Sequence, residues 1–168
     1  MLEALPRFHD SMTDAARSLL PFCLAPRHLV HSLVDEATQQ AYLETHYRVI
    51  APALVLRIGE PCPELVQFHQ ERNVTCSTFI TADNPLGVQL SESQNSGRRR
   101  TLLAELDKRK LAWVHGAGQH PNGQWPAEHS VLVLGLGLDG ARSLAERMEQ
   151  NAVVWMDTDA VPRLLMVR

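Results

Sequence analysis

Apolar and polar positions along the chain switch repeatedly between a helical and an alternating period. Residues 35–46 have helical spacing, which predicts a helix with Ala37, Ala41 and Leu43 on its inner side. Residues 48–58, rich in Val, Ile and Leu, predict a strand, and the Pro-containing stretch 59–63 a turn into a short helix over 64–72. Residues 74–82 alternate as a second strand. It stops at Asp83-Asn84-Pro85, where proline removes a ladder donor and restricts the residue before it. Ser91 followed by Gln94 has capping-box spacing and starts a helix that runs to about Lys110. Gly97 inside that helix costs up to about 1 kcal/mol.

The second half continues with a strand over 111–115, a loop over 115–126 and an apolar strand over 130–136. A helix over 139–150 follows, with Ala141, Leu144, Ala145 and Met148 as its inward stripe. Strands over 152–156 and 163–167 end the pattern. Residues 1–35 are leucine-rich and broken by Pro21 and Pro26; they predict an N-terminal helical extension to a single domain over 36–168. Leu2, Leu5, Leu19, Leu20 and Leu24 there need burial, on the domain's own sheet or on a partner. Strands outnumber the helices that could serve as crossovers. The expected class is therefore α+β, a mixed β-sheet packed with helices.

Composition narrows the setting. The chain has 168 residues, 45% of them hydrophobic, enough for one self-sufficient core. No apolar run approaches the roughly 20 residues a membrane span needs, and the N-terminus does not read as a secretory signal. Cys23, Cys62 and Cys76 are odd in number and lack C-x-x-C spacing, which argues for a reducing, cytoplasmic compartment. The net charge of -3 gives no overall attraction to nucleic acid.

A set of segments in order, A-Y-L-E-T-H-Y-R-V at 41–49, F-I-T-A-D-N-P at 79–85, S-E-S-Q-N-S-G-R at 91–98, W-P-A-E-H-S-V-L-V-L-G at 125–135 and Q-N-A-V-V-W at 150–155, resembles the bacterial domain-of-unknown-function family 3293. The resemblance spans about residues 41–157. It implies a compact bacterial domain and supplies no activity.

The helix from Ser91 to Lys110 is the most informative element. Leu102, Leu103 and Leu106 mark its buried side, and one and two turns back along that side come Arg99 and Asn95. Arg98 lies at the edge and Arg100 nearly opposite. A guanidinium that faces inward must meet a carboxylate, a phosphate or a wet pocket. The helix start also offers free N–H groups to an anion. The expected site is a polar pocket between the 83–98 segment and the 115–130 loop, built from Asn84, Asn95, Arg98, Arg99 and Glu128. The asparagines would orient a small phosphate- or carboxylate-bearing ligand and an arginine would neutralise it. Glu128 would be the counter-charge or, in an enzyme, an acid or base. The plain alternative is an internal salt bridge with Glu128 or another acid as the partner.

Other motifs are weaker. The 115–130 loop carries His115, His120, Trp125, Glu128 and Ser130, and its glycines Gly116, Gly118 and Gly123 suggest flexibility. Gly135, Gly137 and Gly140 spell G-x-G-x-x-G, but too little chain follows for a dinucleotide fold, so a tight turn is the expectation. His28 with His31, and His115 with His120, lack the further ligands of a zinc site, so no metal or cofactor is expected. Ser130 is not in a nucleophile elbow and Cys76 reads as a small core side chain. No complete catalytic constellation is present. The competing function is a protein- or nucleic-acid-interaction module using the basic residues of helix 91–110. Glu105 and Asp107 interrupt that basic run, so nucleic acid is not the expected partner.

Overall fold

The computed structural model describes residues 34–123 and 126–168. The predicted N-terminal extension, the pair His28 and His31, Cys23 and Trp125 lie outside the described residues.

Helix α1, Glu36–Glu44, begins at Asp35, whose side chain accepts the Thr38 N–H at 2.9 Å. Its inner stripe is Thr38, Ala41, Tyr42 and Thr45, at i, i+3, i+4 and i+7. Ala37 and Leu43 are exposed, against expectation, because the face this helix covers is partly polar and apolar spacing points to the wrong stripe. The strand expected over 48–58 is a hairpin of β1, His46–Val49, and β2, Leu54–Leu56, with Tyr47 opposite Leu56. Ala51, Pro52 and Ala53 make the turn, where proline has no N–H to give a ladder.

Helix α2, Pro63–Glu71, opens on its proline and buries Leu65, Phe68 and His69. Strand β3, Ser77–Thr81, is buried at every position but its last, since both of its faces are covered. Helix α3, Glu92–Lys108, has the predicted capping box: Ser91 Oγ accepts the Gln94 N–H at 3.3 Å, and Gln94 Oε1 accepts the Ser91 N–H at 3.0 Å. Strand β4 is Trp113–Gln119, so His115, Gly116 and Gly118 belong to a strand and not to a flexible loop. The glycine at 116 answers a steric demand. A Cβ there would lie 2.6 Å from Arg48 O and 2.6 Å from Phe79 Cε2. Strand β5, Glu128–Leu134, leads through Gly135 at φ +73° into α4, Leu138–Arg147. The G-x-G-x-x-G stretch is thus a βα turn, with the Gly135 N–H donated to Cys76 O at 2.8 Å. Strands β6, Ala152–Met156, and β7, Arg163–Met166, follow.

The seven strands form one sheet in the order β2-β1-β4-β5-β3-β6-β7, and each ladder in it is antiparallel. Together with the helices it makes an α+β fold whose sheet curls into a half-barrel. Alternation along the strands builds two cores. One face carries Tyr47, Phe79, Leu132 and Val154 against Leu65 and Phe68 of α2. The other carries Ile80, Val131, Val133 and Val153 against Leu102 and Leu106 of α3 and Leu144 of α4. Among the described residues, no helix is long and apolar enough to cross a membrane.

Candidate functional site

The α2 face of the sheet is longer than α2 can cover. Past its end, Tyr47, Gly118, Phe79, Ser130, Val154 and Leu164 floor a cavity of about 560 Å³. Helix α1 walls it with Thr38, Tyr42 and Thr45, and the segment 83–90 walls it opposite. The size and the mix of an apolar floor with a polar rim match sites for small molecules.

Asn84 organises the rim. It sits in the left-handed region at φ 48°, ψ 62°, which asparagine tolerates better than most residues. Its N–H donates to Asn95 Oδ1 at 3.0 Å, and its Oδ1 accepts both Asn95 Nδ2 at 3.0 Å and the Leu90 N–H at 3.0 Å. Its Nδ2 donates to Glu128 Oε1 at 2.7 Å. The Leu86 N–H donated to Glu149 O at 2.8 Å pins the same segment to the end of α4. The rim is therefore held by hydrogen bonds within the protein itself.

Glu128 opens β5 and faces the cavity. Burial raises its carboxyl pKa above the usual value; the Asn84 hydrogen bond pulls the other way, and the negative charge of Asp83 adds to the rise. Asp83, 4% exposed, also borders the cavity. Its pKa is raised by burial, and Arg99 and His129 offset this only in part. Gln150 donates Nε2 to Asp83 O at 3.1 Å and to Met148 O at 3.3 Å. Asn151 Nδ2 donates to the Tyr42 hydroxyl at 3.4 Å. Burial likewise raises the Tyr42 pKa, so its phenol stays neutral.

Asn84, Asn95 and Glu128 thus line one cavity. Arg98 and Arg99 lie behind its wall. Arg98 donates Nε to Ala82 O at 2.8 Å, one terminal nitrogen to Glu149 Oε2 at 2.9 Å and the other to Met148 O. It ties the end of β3 to the end of α4. Arg99 bridges Asp83 at 3.1 Å and Glu92. The acids that meet the two arginines are Asp83, Glu92 and Glu149; Glu128 is not among them.

His120 is buried, 3.3 Å from Glu44, and fastens the exit of β4 to α1 outside the cavity. His115 is exposed, with its ring edge-on to Trp113. Ser130 Oγ donates to Glu128 O at 3.2 Å. His69 and Ser77 stand 2.8 Å apart, but under α2, where Ser77 is fully buried and burial lowers the histidine pKa. Among the described residues no three His, Cys, Asp or Glu side chains are placed to hold a metal.

Tyr42, Asp83, Gln150 and Asn151 are site residues that sequence reasoning missed. Gln150 and Asn151 open the segment Q-N-A-V-V-W, where two amides precede a strand, so a signal was available. Tyr42 carried none, because a tyrosine at helical spacing also reads as core.

Residues 80–153 match the family described as protein of unknown function (DUF3293). This is the family that the ordered segments resemble. The matched stretch holds Asp83, Asn84, Asn95, Glu128, Gln150 and Asn151, whereas Tyr42 of the α1 wall and Tyr47 of the floor precede it. No curated protein and no solved structure matches the chain.

Proposed function

We propose that this protein binds a small organic molecule in the half-barrel cavity. The observation that carries the reading is the hydrogen-bonded rim of Asn84, Asn95 and Glu128 set over an apolar floor that includes Phe79, Val154 and Leu164. An apolar body would lie on the floor and a polar group would meet the rim. Asn84 orients Glu128 and Asn95 orients Asn84.

An anionic ligand, the expectation from the arginine-rich helix, has less support. Arg98 and Arg99 are engaged by carboxylates and carbonyls, and among the described residues no Arg or Lys lines the cavity. The same pairing weakens the reading of helix 91–110 as a surface for protein or nucleic acid. With both side chains occupied, Arg100, Lys108 and Lys110 make no continuous stripe. A bacterial, cytoplasmic setting belongs to the proposal; Cys62 and Cys76 are both unpaired, as a reducing compartment allows.

The test is ligand-detected NMR of a fragment library against the full chain and against Ser130→Leu, which fills the floor. Hits that bind the wild type and are lost in the folded variant support the reading. A library without hits, or hits indifferent to the substitution, would refute it.

A further inference from the structure

The described residues that line the cavity carry acids and no strong base. Asp83, Glu92 and Glu128 border it, with His129 beside them. An acidic set alone can be a solvated surface, but three observations show more than that here.

The first is the state of Glu128. Asn84 holds Oε1 at 2.7 Å, and among the described residues no donor reaches Oε2. The carboxylate is thus fixed in direction with one oxygen left over, at the edge of a cavity and not in bulk water. The second is Asp83. It is 4% exposed, Arg99 takes Oδ2 at 3.1 Å, and Oδ1 has no hydrogen-bond partner. A buried carboxylate oxygen without a donor is costly and rare in a native fold. The third is Gln150. Its Nε2 is spent on two backbone carbonyls, which leaves Oε1 as the group it can offer. The carbonyls also settle which end of the amide is which. Among the described residues, Glu128, Asp83 and Gln150 therefore each leave an oxygen acceptor without a donor.

We propose that the ligand of this cavity carries an ammonium or guanidinium group, that Glu128 is its counter-charge, and that Asn84 is the residue positioning Glu128. The proposal rests on the small-molecule reading above and gives its ligand class. A cationic head would supply the donors that Glu128 Oε2 and Gln150 Oε1 lack. It would also remove the cost of holding Glu128 ionised near Asp83 away from water. An aliphatic or aromatic body would lie on Phe79, Tyr47 and Leu164 of the cavity floor. Burial raises the Glu128 pKa, and a cation bound beside it would favour the ionised form.

The experiment uses three probes with one body: 4-phenylbutylamine, 4-phenylbutanol and 4-phenylbutyrate. Their affinities for the full chain are measured by titration calorimetry at pH 7, for the wild type and for Glu128→Gln. The amine is expected to bind about tenfold or more tighter than the alcohol, with the carboxylate weakest, and Glu128→Gln should erase that order. The glutamine can still accept from Asn84, so the rim is retained. Should the variant fail to fold, the wild type is titrated from pH 7 downward. Amine affinity must then fall as Glu128 takes up its proton while alcohol affinity holds. Asp83, Glu92, His129 and Tyr42 also face the cavity; the alcohol controls for any effect of pH on the fold, and the same titration of Asp83→Asn, Glu92→Gln and His129→Gln separates their charge from that of Glu128. If the alcohol or the carboxylate binds as well as the amine, or none of the probes binds while library fragments do, the ligand class is wrong and the binding cavity stands. If fragments fail too, both fall.

Discussion

Asn84 and Asn95 clasp each other reciprocally: the Asn84 N–H donates to Asn95 Oδ1 at 3.0 Å, and Asn95 Nδ2 donates back to Asn84 Oδ1 at 3.0 Å. The pair joins the segment after β3 to the first turns of α3. Since Asn95 is 7% exposed, water cannot easily replace it. Asn95→Ala is expected to cost about 1–3 kcal/mol, the range for leaving a buried polar group unpaired. Urea unfolding measures the loss, and amide exchange at Asn84 should quicken with it. A loss under about 0.5 kcal/mol would mean that the clasp does not hold the rim.

Gly116 is demanded by the stacking of β4 beneath Phe79. Gly116→Ala places a methyl group 2.6 Å from both Arg48 O and the Phe79 ring. Overpacking of this kind costs about 1–3 kcal/mol. Adding Phe79→Leu should relieve the contact with the ring and leave the one with the carbonyl. The double variant is therefore expected to recover only part of the loss in a thermodynamic cycle.

Arg98 satisfies the backbone carbonyls of Ala82 and Met148 and the carboxylate of Glu149 with three different nitrogens. A lysine ammonium cannot fork in this way. Arg98→Lys should therefore destabilise nearly as much as Arg98→Met, by about 2 kcal/mol. Thermal melts compare the two. Full rescue by lysine would show that only the charge matters.

The Glu128 carboxyl has a higher pKa folded than unfolded, because burial disfavours its charge. The folded state then holds the proton more tightly. This group's contribution to stability is greatest below the unfolded value of about 4.3 and is lost as pH rises through the folded value. Glu128→Gln should therefore raise Tm at pH 7, by about 2–4 °C for each kcal/mol gained, and show no gain in acid near pH 4. Asp83 is raised by burial too, so some pH slope persists in the variant. An unchanged or lower Tm at pH 7 would contradict the unpaired-carboxylate picture.

Much of the helical structure was legible because its causes are local. The capping box at Ser91, the Leu102 and Leu106 stripe, and the α4 stripe of Ala141, Leu144 and Ala145 each depend on residues within a few turns. The inner side of α1 was misread because Thr38, Tyr42 and Thr45 face a cavity whose polar rim reverses the usual sign. The strand through Gly116 and Gly118 was misread because glycines signal loops on their own. The Phe79 ring, brought in by β3, and the Arg48 carbonyl explain Gly116, and neither is within reach of a local pattern.

The same division runs through the site. By itself, the amino-acid order determined which side chains share a helix face, where helices start, and that Arg99 and Asn95 turn inward below the leucines. All of these follow from a fixed rotation per residue. What the arginines meet was decided by the tertiary structure. Arg98 finds Glu149 51 positions away, and Asn84 finds Glu128 44 positions away, across strands whose order no local pattern encodes. The cavity is likewise a product of sheet curl, the sum of small twists over many strand pairs. That no Arg or Lys is among its described lining residues follows from where the fold places the arginines.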